Sequence, residues 1–288
     1  MNLTPLFGPG GNSQAFYDDG HKSSKEAPAW VAAQGLDAYE FEAGNGLTAG
    51  IDTLSAIGLA AEESGIRMSF HTPYFISLSG TDPEKRLKSI GYISQSLRAA
   101  ELLRAEIIVV HTGSAAKISR EEAMNLSADT LWRVLEEVPD NGVRIGLETM
   151  GKLNQLGTLS EVLELCHISP RFAPVVDFGH LNARACGGEG SFRTKEDYMR
   201  VFDEIACSLG DSYAINLHTH FSKIEYTNAG EKRHLTFEDE LFGPAFEPLM
   251  EAVAALRVCP TVICESAGTM ARDALAMKQY YQKLSLGN

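Results

Sequence analysis

Six short apolar segments of this 288-residue chain each end on a side chain that metal ions favour. They are Met68–His71, Ile107–His111, Arg144–Glu148, Pro174–Asp177, Ala214–His218 and Thr261–Glu265. Their dense Val, Ile and Leu content suits strands buried on both faces, as in parallel sheets. One apolar run ending in His, Asp or Glu constrains little. Six in series, separated by helix-length intervals, place their terminal side chains around one opening, because the C-terminal strand ends of a closed parallel barrel converge on one face.

Two further strands are expected at Leu3–Phe7 and Ala38–Phe41. Amphipathic stretches fall between the strands, at Glu26–Ala33, Asp52–Ser64, Pro83–Arg104, Ser119–Glu137, Ser160–Cys166, Lys195–Ser208, Pro244–Ala255 and Ala271–Lys283. Asp82 is placed to cap the third of these, with Pro83 at its first position. Ser119 with Glu122 reads as a capping box. Alternating strands and helices predict an α/β fold, a (β/α)8 TIM barrel, as a single domain over residues 1–288. Two βα connections are long, Asn182–Phe192 and Thr219–Phe242, and both leave the expected site face.

The formal net charge is −13, which argues against broad electrostatic binding of nucleic acid. Bound cations and a few local basic residues can still make one face positive. The five cysteines are scattered without CxxC spacing and read as free thiols of a reducing, cytoplasmic compartment. Cys264 reads as a small packing residue. The first residues show neither a basic n-region nor an apolar h-region, so no signal peptide is expected. The longest apolar runs are strand-sized, so no membrane association is expected.

His180 follows Asp177 closely, His220 follows His218, and His234 lies in the second long connection. A lone His at a strand end is more often a hydrogen-bonded structural residue, and a lone Asp there often caps the next helix. Three carboxylates desolvated together at one barrel mouth would be costly without cations. Mixed imidazole and carboxylate donors suit zinc, with manganese as the alternative. His21 and His167 read as surface residues. His220 reads as lying behind a ligand or facing substrate, not as a ligand.

In this order and spacing the chain resembles the endonuclease IV family of the xylose isomerase-like TIM-barrel superfamily. His71-Thr72-Pro73-Tyr74-Phe75 and His111-Thr112-Gly113-Ser114 resemble two of its His motifs. Glu148-Thr149-Met150-Gly151, Asp177-Phe178-Gly179-His180, His218 with Lys223, and Glu265 resemble the rest. The resemblance implies a zinc-dependent hydrolase with two or three ions. His71 and His111 would hold one, and Glu148 would bridge it to a second held by Asp177, His218 and Glu265. His180 and His234 would hold a third. Catalysis would centre on Glu148 and Glu265. The reaction implied is attack of a metal-bridging hydroxide on the phosphate 5′ of an abasic site in DNA, a DNA-repair activity. The chain departs from the family at Lys232, where an Asp ligand would stand, with Glu231 able to replace it if the loop shifts by one residue. It also departs at Phe41–Leu47, which lacks the family's Arg.

Tyr74 and Phe75 are candidates to stack on a base, and Arg184, Lys223 and Arg233 to bind phosphate. Lys152, Asn154 and Gln155 could also touch substrate. Gly8–Asn12 lacks the spacing of a dinucleotide or phosphate loop. Two other classes remain open. A single-metal sugar isomerase or epimerase would use Glu148, Asp177, His218 and Glu265 alone. A metal-stabilised or nucleic-acid-binding barrel would bind ions without turnover.

Overall fold

The computed structural model describes residues 4–286. Eight parallel strands form one sheet: β1 (Leu6–Pro9), β2 (Ala38–Glu42), β3 (Arg67–His71), β4 (Ala105–His111), β5 (Arg144–Glu148), β6 (Phe172–Asp177), β7 (His218–Phe221) and, after an inserted hairpin, β10 (Thr261–Cys264). The strand order is β1-β10-β7-β6-β5-β4-β3-β2. The ends meet where Asp37 N donates to Phe7 O and Gly11 N donates to Glu40 O, both at 2.8–2.9 Å. Gly8 permits this closure, since a Cβ there would collide with Ala38 O. The result is a TIM barrel, with its main core between the strands and the surrounding helices.

The helices start where side-chain chemistry dictates. Asp82 accepts from Glu84 N ahead of Pro83–Leu103. Ser119 accepts from Glu122 N ahead of Arg120–Glu137, the hydroxyl half of the expected box. A complete capping box instead forms between Thr158 and Glu161, starting Leu159–Cys166 one residue before the expected Ser160. The first strand begins at Leu6, three residues beyond the expected start; Leu3 lies outside the described residues.

The largest difference is at the seventh strand. Ala214 and Ile215 close a short helix, Asp211–Ile215, and the strand begins only at His218. The apolar run misleads because Ala214 and Leu217 are buried by helix and linker, and a short buried run looks alike in either conformation. The long connection after β7 is not irregular. It folds into an antiparallel hairpin, β8 (Ile224–Thr227) and β9 (Gly230–His234). A second unforeseen element, helix Phe178–Arg184, follows β6 directly. No helix among the described residues is long and apolar enough to cross a membrane. No disulfide joins any of the five cysteines.

Candidate metal centre

Glu148 ends β5 at the middle of the barrel mouth, fully buried. Its two oxygens face different neighbours. Oε2 lies 3.5 Å from His71 Nε2 and 3.3 Å from His111 Nε2. Oε1 lies 3.0 Å from His220 Nδ1 and 3.5 Å from His180 Nδ1. The register explains the grouping: His111 pairs directly with Glu148 across β4 and β5.

Several overlapping groups of donor atoms lie here, Glu40 with His218 and His220 among them, and three surround this carboxylate. His71, His111 and Glu148 form the first, and Glu148, Asp177, His220 and Glu265 the second. His180, Glu231 and His234 form the third. Within each group the ligand atoms lie within 4.8 Å of one another. Asp177 serves two ends at once: Oδ1 accepts from His180 N at 2.7 Å and caps the following helix, while Oδ2 is left facing the cluster.

The donors fit metal ions. Glu148 Oε2 and Asp177 Oδ2 are buried and have no hydrogen-bond partner among the described residues. Such carboxylate oxygens are costly unless something cationic meets them. Three of the imidazoles have one nitrogen held by a group outside the cluster, as ligating imidazoles do. His71 Nδ1 is held by Thr72 O at 3.0 Å, and His180 Nδ1 by Thr149 O at 2.9 Å. His234 Nδ1 is held by Ser222 Oγ at 2.8 Å.

Electrostatics give the same picture from the proton's side. Burial pushes the Glu265 carboxyl up to about 8 against the pull of His220, with Asp177 and Glu148 adding to the rise. Burial alone would lower His180, but Asp177, Glu148, Glu231 and Glu265 outweigh it and raise the imidazole to about 9. Burial likewise disfavours charge on His220, yet Glu265, Glu40 and Glu148 hold it well above its ordinary value. Without metal, protons gather where carboxylates crowd.

The structure brings together His71, His111, Glu148, Asp177, His180, His234 and Glu265. It does not bring His218 to them. His218 sits two residues earlier on β7, roughly 7 Å down the strand, where its Nε2 donates to Glu40 at 3.0 Å. It lines a cavity at the opposite end of the barrel, with Arg67 and Arg144. His220 takes the place beside Glu148 and Glu265, at 3.0 and 3.3 Å. The signal was in the sequence, since His218 and His220 share a strand face and only the strand's true end selects between them.

Glu231, not Lys232, joins His180, at 3.5 Å. The β8–β9 register runs Glu225 to Arg233 and then Tyr226 to Glu231, so Lys232 is the extra residue of a bulge. The bulge turns Glu231 and His234, three apart, toward one side, an effect bulges exert beside active sites. Gly151 leaves room for them: a Cβ there would stand 2.6 Å from Glu231 Cβ and 3.1 Å from His180 Cδ2.

The expected substrate contacts divide. Tyr74, Glu42, Lys152 and Gln155 line a cavity of about 700 Å³ above the cluster. Tyr74 is exposed and its ring packs against Gly44, where a Cβ would collide with it. Phe75 is exposed on the rim, its ring set edge-on against Tyr92 at 4.8 Å. The three cations expected to meet phosphate are engaged elsewhere. Arg184 donates to the carbonyls of Met150, Lys152, Leu153 and Gln155, clamping the loop after β5. Lys223 donates to the carbonyls of Phe237 and Asp239. Arg233 pairs with Glu225 at 2.6 Å.

A barrel whose mouth gathers imidazoles and carboxylates in three contiguous groups defines a class of metal-site α/β barrels. The chain matches the family described as the xylose isomerase-like TIM barrel over residues 28–280, and it belongs to that family. An uncharacterized protein of Methanocaldococcus jannaschii is 29% identical over 223 residues, 76% of this chain and 78% of that protein. A probable endonuclease 4 of Mycoplasma genitalium is 30% identical over 191 residues, 64% of this chain and 61% of its own. Another, from Acholeplasma laidlawii, is 28% identical over 181 residues, covering 60% and 59%. The chain thus spans about three-fifths of these endonuclease 4 relatives. Among solved structures, endonuclease IV from Thermus thermophilus superposes with a TM-score of 0.70 at 18% identity, covering 99% of this chain and 100% of that one. A D-tagatose 3-epimerase-like protein gives the same TM-score at 19% identity, covering 98% and 97%. Likeness at that identity establishes the fold and not the reaction.

Proposed function

We propose that this protein is a multinuclear metal-dependent phosphodiesterase, a zinc-class hydrolase that cleaves DNA 5′ of abasic sites. The observation that carries this reading is Glu148, whose two oxygens face two separate donor groups, with a third group against it. A single-metal sugar enzyme needs one such group. His71, His111, His180, Glu231 and His234 would then have no role. The names of the endonuclease 4 relatives support the same choice.

His71, His111 and Glu148 would hold one ion, Glu148, Asp177, His220 and Glu265 a second, and His180, Glu231 and His234 a third. When bound, such ions supply a water made acidic enough to attack and charge to stabilise the leaving oxygen. The residues do the remaining work. Glu148 fixes the spacing of the first two groups. Glu265, which lines the cavity, would serve as the proton acceptor. Tyr74 offers an exposed ring to an unpaired base, and Lys152 a cation to the backbone.

The test is elemental metal content of protein purified without chelators, followed by incubation with a duplex carrying one abasic site. Two or three ions per chain and a single chelator-sensitive incision beside that site are expected. One ion per chain and no incision would overturn the reading.

That outcome would favour a second reading, a sugar isomerase or epimerase using Glu148, Asp177, His220 and Glu265. Its specific support is the diversion of Arg184, Lys223 and Arg233 from the mouth. Conversion of a ketose at its third carbon, absent with a phosphodiester substrate, is the assay that would establish it.

A further inference from the structure

We propose that Glu40, a residue of β2 outside the three donor groups, is a positioning residue that makes His220 present Nδ1 to the metal centre. The inference rests on the metal-centre reading above and extends it to a carboxylate that no family motif marks.

Glu40 is wholly buried inside the barrel, as are His220 and Glu148. A buried carboxylate survives only where it is met by donors or cations. Glu40 is met by two imidazoles from one strand. Its Oε2 accepts from His218 Nε2 at 3.0 Å, and its Oε1 lies 2.9 Å from His220 Nε2. His220 therefore stands between two carboxylates, Glu40 behind it and Glu148 ahead of it at 3.0 Å from Nδ1.

Both nitrogens face carboxylates: Nδ1 is hydrogen-bonded to Glu148 at 3.0 Å, and Nε2 stands 2.9 Å from Glu40 Oε1 in ion-pair contact without hydrogen-bond geometry. An ion on the side of Glu148 and Glu265 would displace the Nδ1 proton, and the negative charge of Glu40 would keep the proton on Nε2. Three other imidazoles of the centre are held by neutral groups: Thr72 O for His71, Thr149 O for His180 and Ser222 Oγ for His234. His220 instead has a carboxylate 2.9 Å behind it. A carboxylate behind a ligating imidazole fixes its tautomer and raises its basicity.

The same arrangement explains the His-x-His pattern of β7. Alternate residues of a strand share a face, so both histidines point into the barrel, one at the level of the metal centre and one below. His218 holds Glu40 by a hydrogen bond, and Glu40 stands behind His220 in ion-pair contact. The lower histidine acts through the carboxylate and not as a ligand.

The experiment titrates Zn²⁺ into metal-stripped protein with ¹⁵N-labelled histidine, for the wild type and for Glu40→Gln. In the wild type His220 is expected to show a metal-bound Nδ1 and a protonated Nε2. In Glu40→Gln, chelator competition is expected to show one ion bound about 10- to 100-fold more weakly, the others unchanged. A purely structural Glu40 would lower the melting temperature and leave every Zn²⁺ affinity as it was, which overturns the proposal. A wild-type His220 bound through Nε2 overturns it too, and needs no variant to fold. Zinc binding without abasic-site incision would leave this inference standing and remove the phosphodiesterase reading. Incision with an unaltered Glu40→Gln zinc profile would do the reverse. Failure of the wild type to bind Zn²⁺ would remove both.

Discussion

The candidate metal centre has two halves built on different principles. His71, His111, Glu148, Asp177, His220 and Glu265 lie at or just beyond the ends of barrel strands, with pairings such as His111 with Glu148 setting their spacing. Glu231 and His234 come from a hairpin outside the barrel and reach His180 through a bulge. Glu148 and His220 are fully buried, whereas the His234 side chain is 28% exposed. Strand-borne donors are fixed by the same hydrogen bonds that close the sheet. Hairpin-borne donors depend on one extra residue and one missing Cβ. The strand half should therefore fail as a unit and the hairpin half separately.

Glu148→Gln tests the first statement most severely. The amide keeps the volume but loses the charge shared by two donor groups. Metal content should fall by two equivalents, and incision by at least about a hundredfold, the scale seen when one preorganised electrostatic group is removed. Loss of a single equivalent would mean that the two groups are independent and that Glu148 does not bridge.

Gly151→Ala tests the second. The added methyl would lie 2.6 Å from Glu231 Cβ, and the hairpin must move to admit it. One equivalent of metal should be lost while the two held by strand residues stay. Loss of all three would show that the halves are coupled and fail together.

The two halves also differ in how far the sequence revealed them. The strand half was legible because buried parallel strands are near-continuous apolar runs, and each run ends at the site face. Its one misplacement, His218 for His220, came from a buried run that is helix at Ala214 and strand only from His218. Periodicity cannot separate those cases over so few residues. The hairpin half was legible in composition but not in register. Whether Glu231 or Lys232 faced inward depended on a bulge, and a bulge is a pairing between strands that no local pattern records. The fates of Arg184 and Lys223 were hidden for a related reason. Each is spent on backbone carbonyls of another loop, at sequence distances of about 30 and 15 residues.

The titration of the empty centre sharpens the comparison further. His180 is raised to about 9 in the folded protein from 6.5. Its stabilising contribution is complete below 6.5 and is lost as the pH rises through 9. Glu265 is raised to about 8 from 4.5, so the folded state favours its protonated form and this contribution declines from 4.5 through 8. Glu40 and Glu148 are held low and contribute evenly above 4.5. Metal-stripped protein should therefore melt several degrees lower at pH 9 than at pH 6. Metal should cancel or reverse that slope, because ligands bind ions only after losing protons. A melting temperature that is flat or rising over this range without metal would contradict the crowding of carboxylates at the barrel mouth.

The smallest effect is expected where the sequence pointed most directly to a defect. Lys232 stands where a ligand Asp would be expected, so Lys232→Asp looks like a repair of the third donor group. In the structure Lys232 is the bulged residue, and its Nζ pairs with Glu225 at 2.5 Å on the outer face of the hairpin. An aspartate there would meet Glu225, not His180. The exposed pair is screened by solvent and contributes little, so stability should fall slightly and metal content should not change. Deleting Lys232 is the informative partner. Without the extra residue Glu231 and His234 stand two apart in plain alternation and share a face, so both can still face His180. The deletion should keep the third equivalent of metal, as the substitution does, and its loss would show that the bulge aims these side chains by more than alternation. A gain of metal affinity in Lys232→Asp would mean that the hairpin shifts register to use the new carboxylate, and that the bulge is a consequence of the lysine and not the device that aims Glu231.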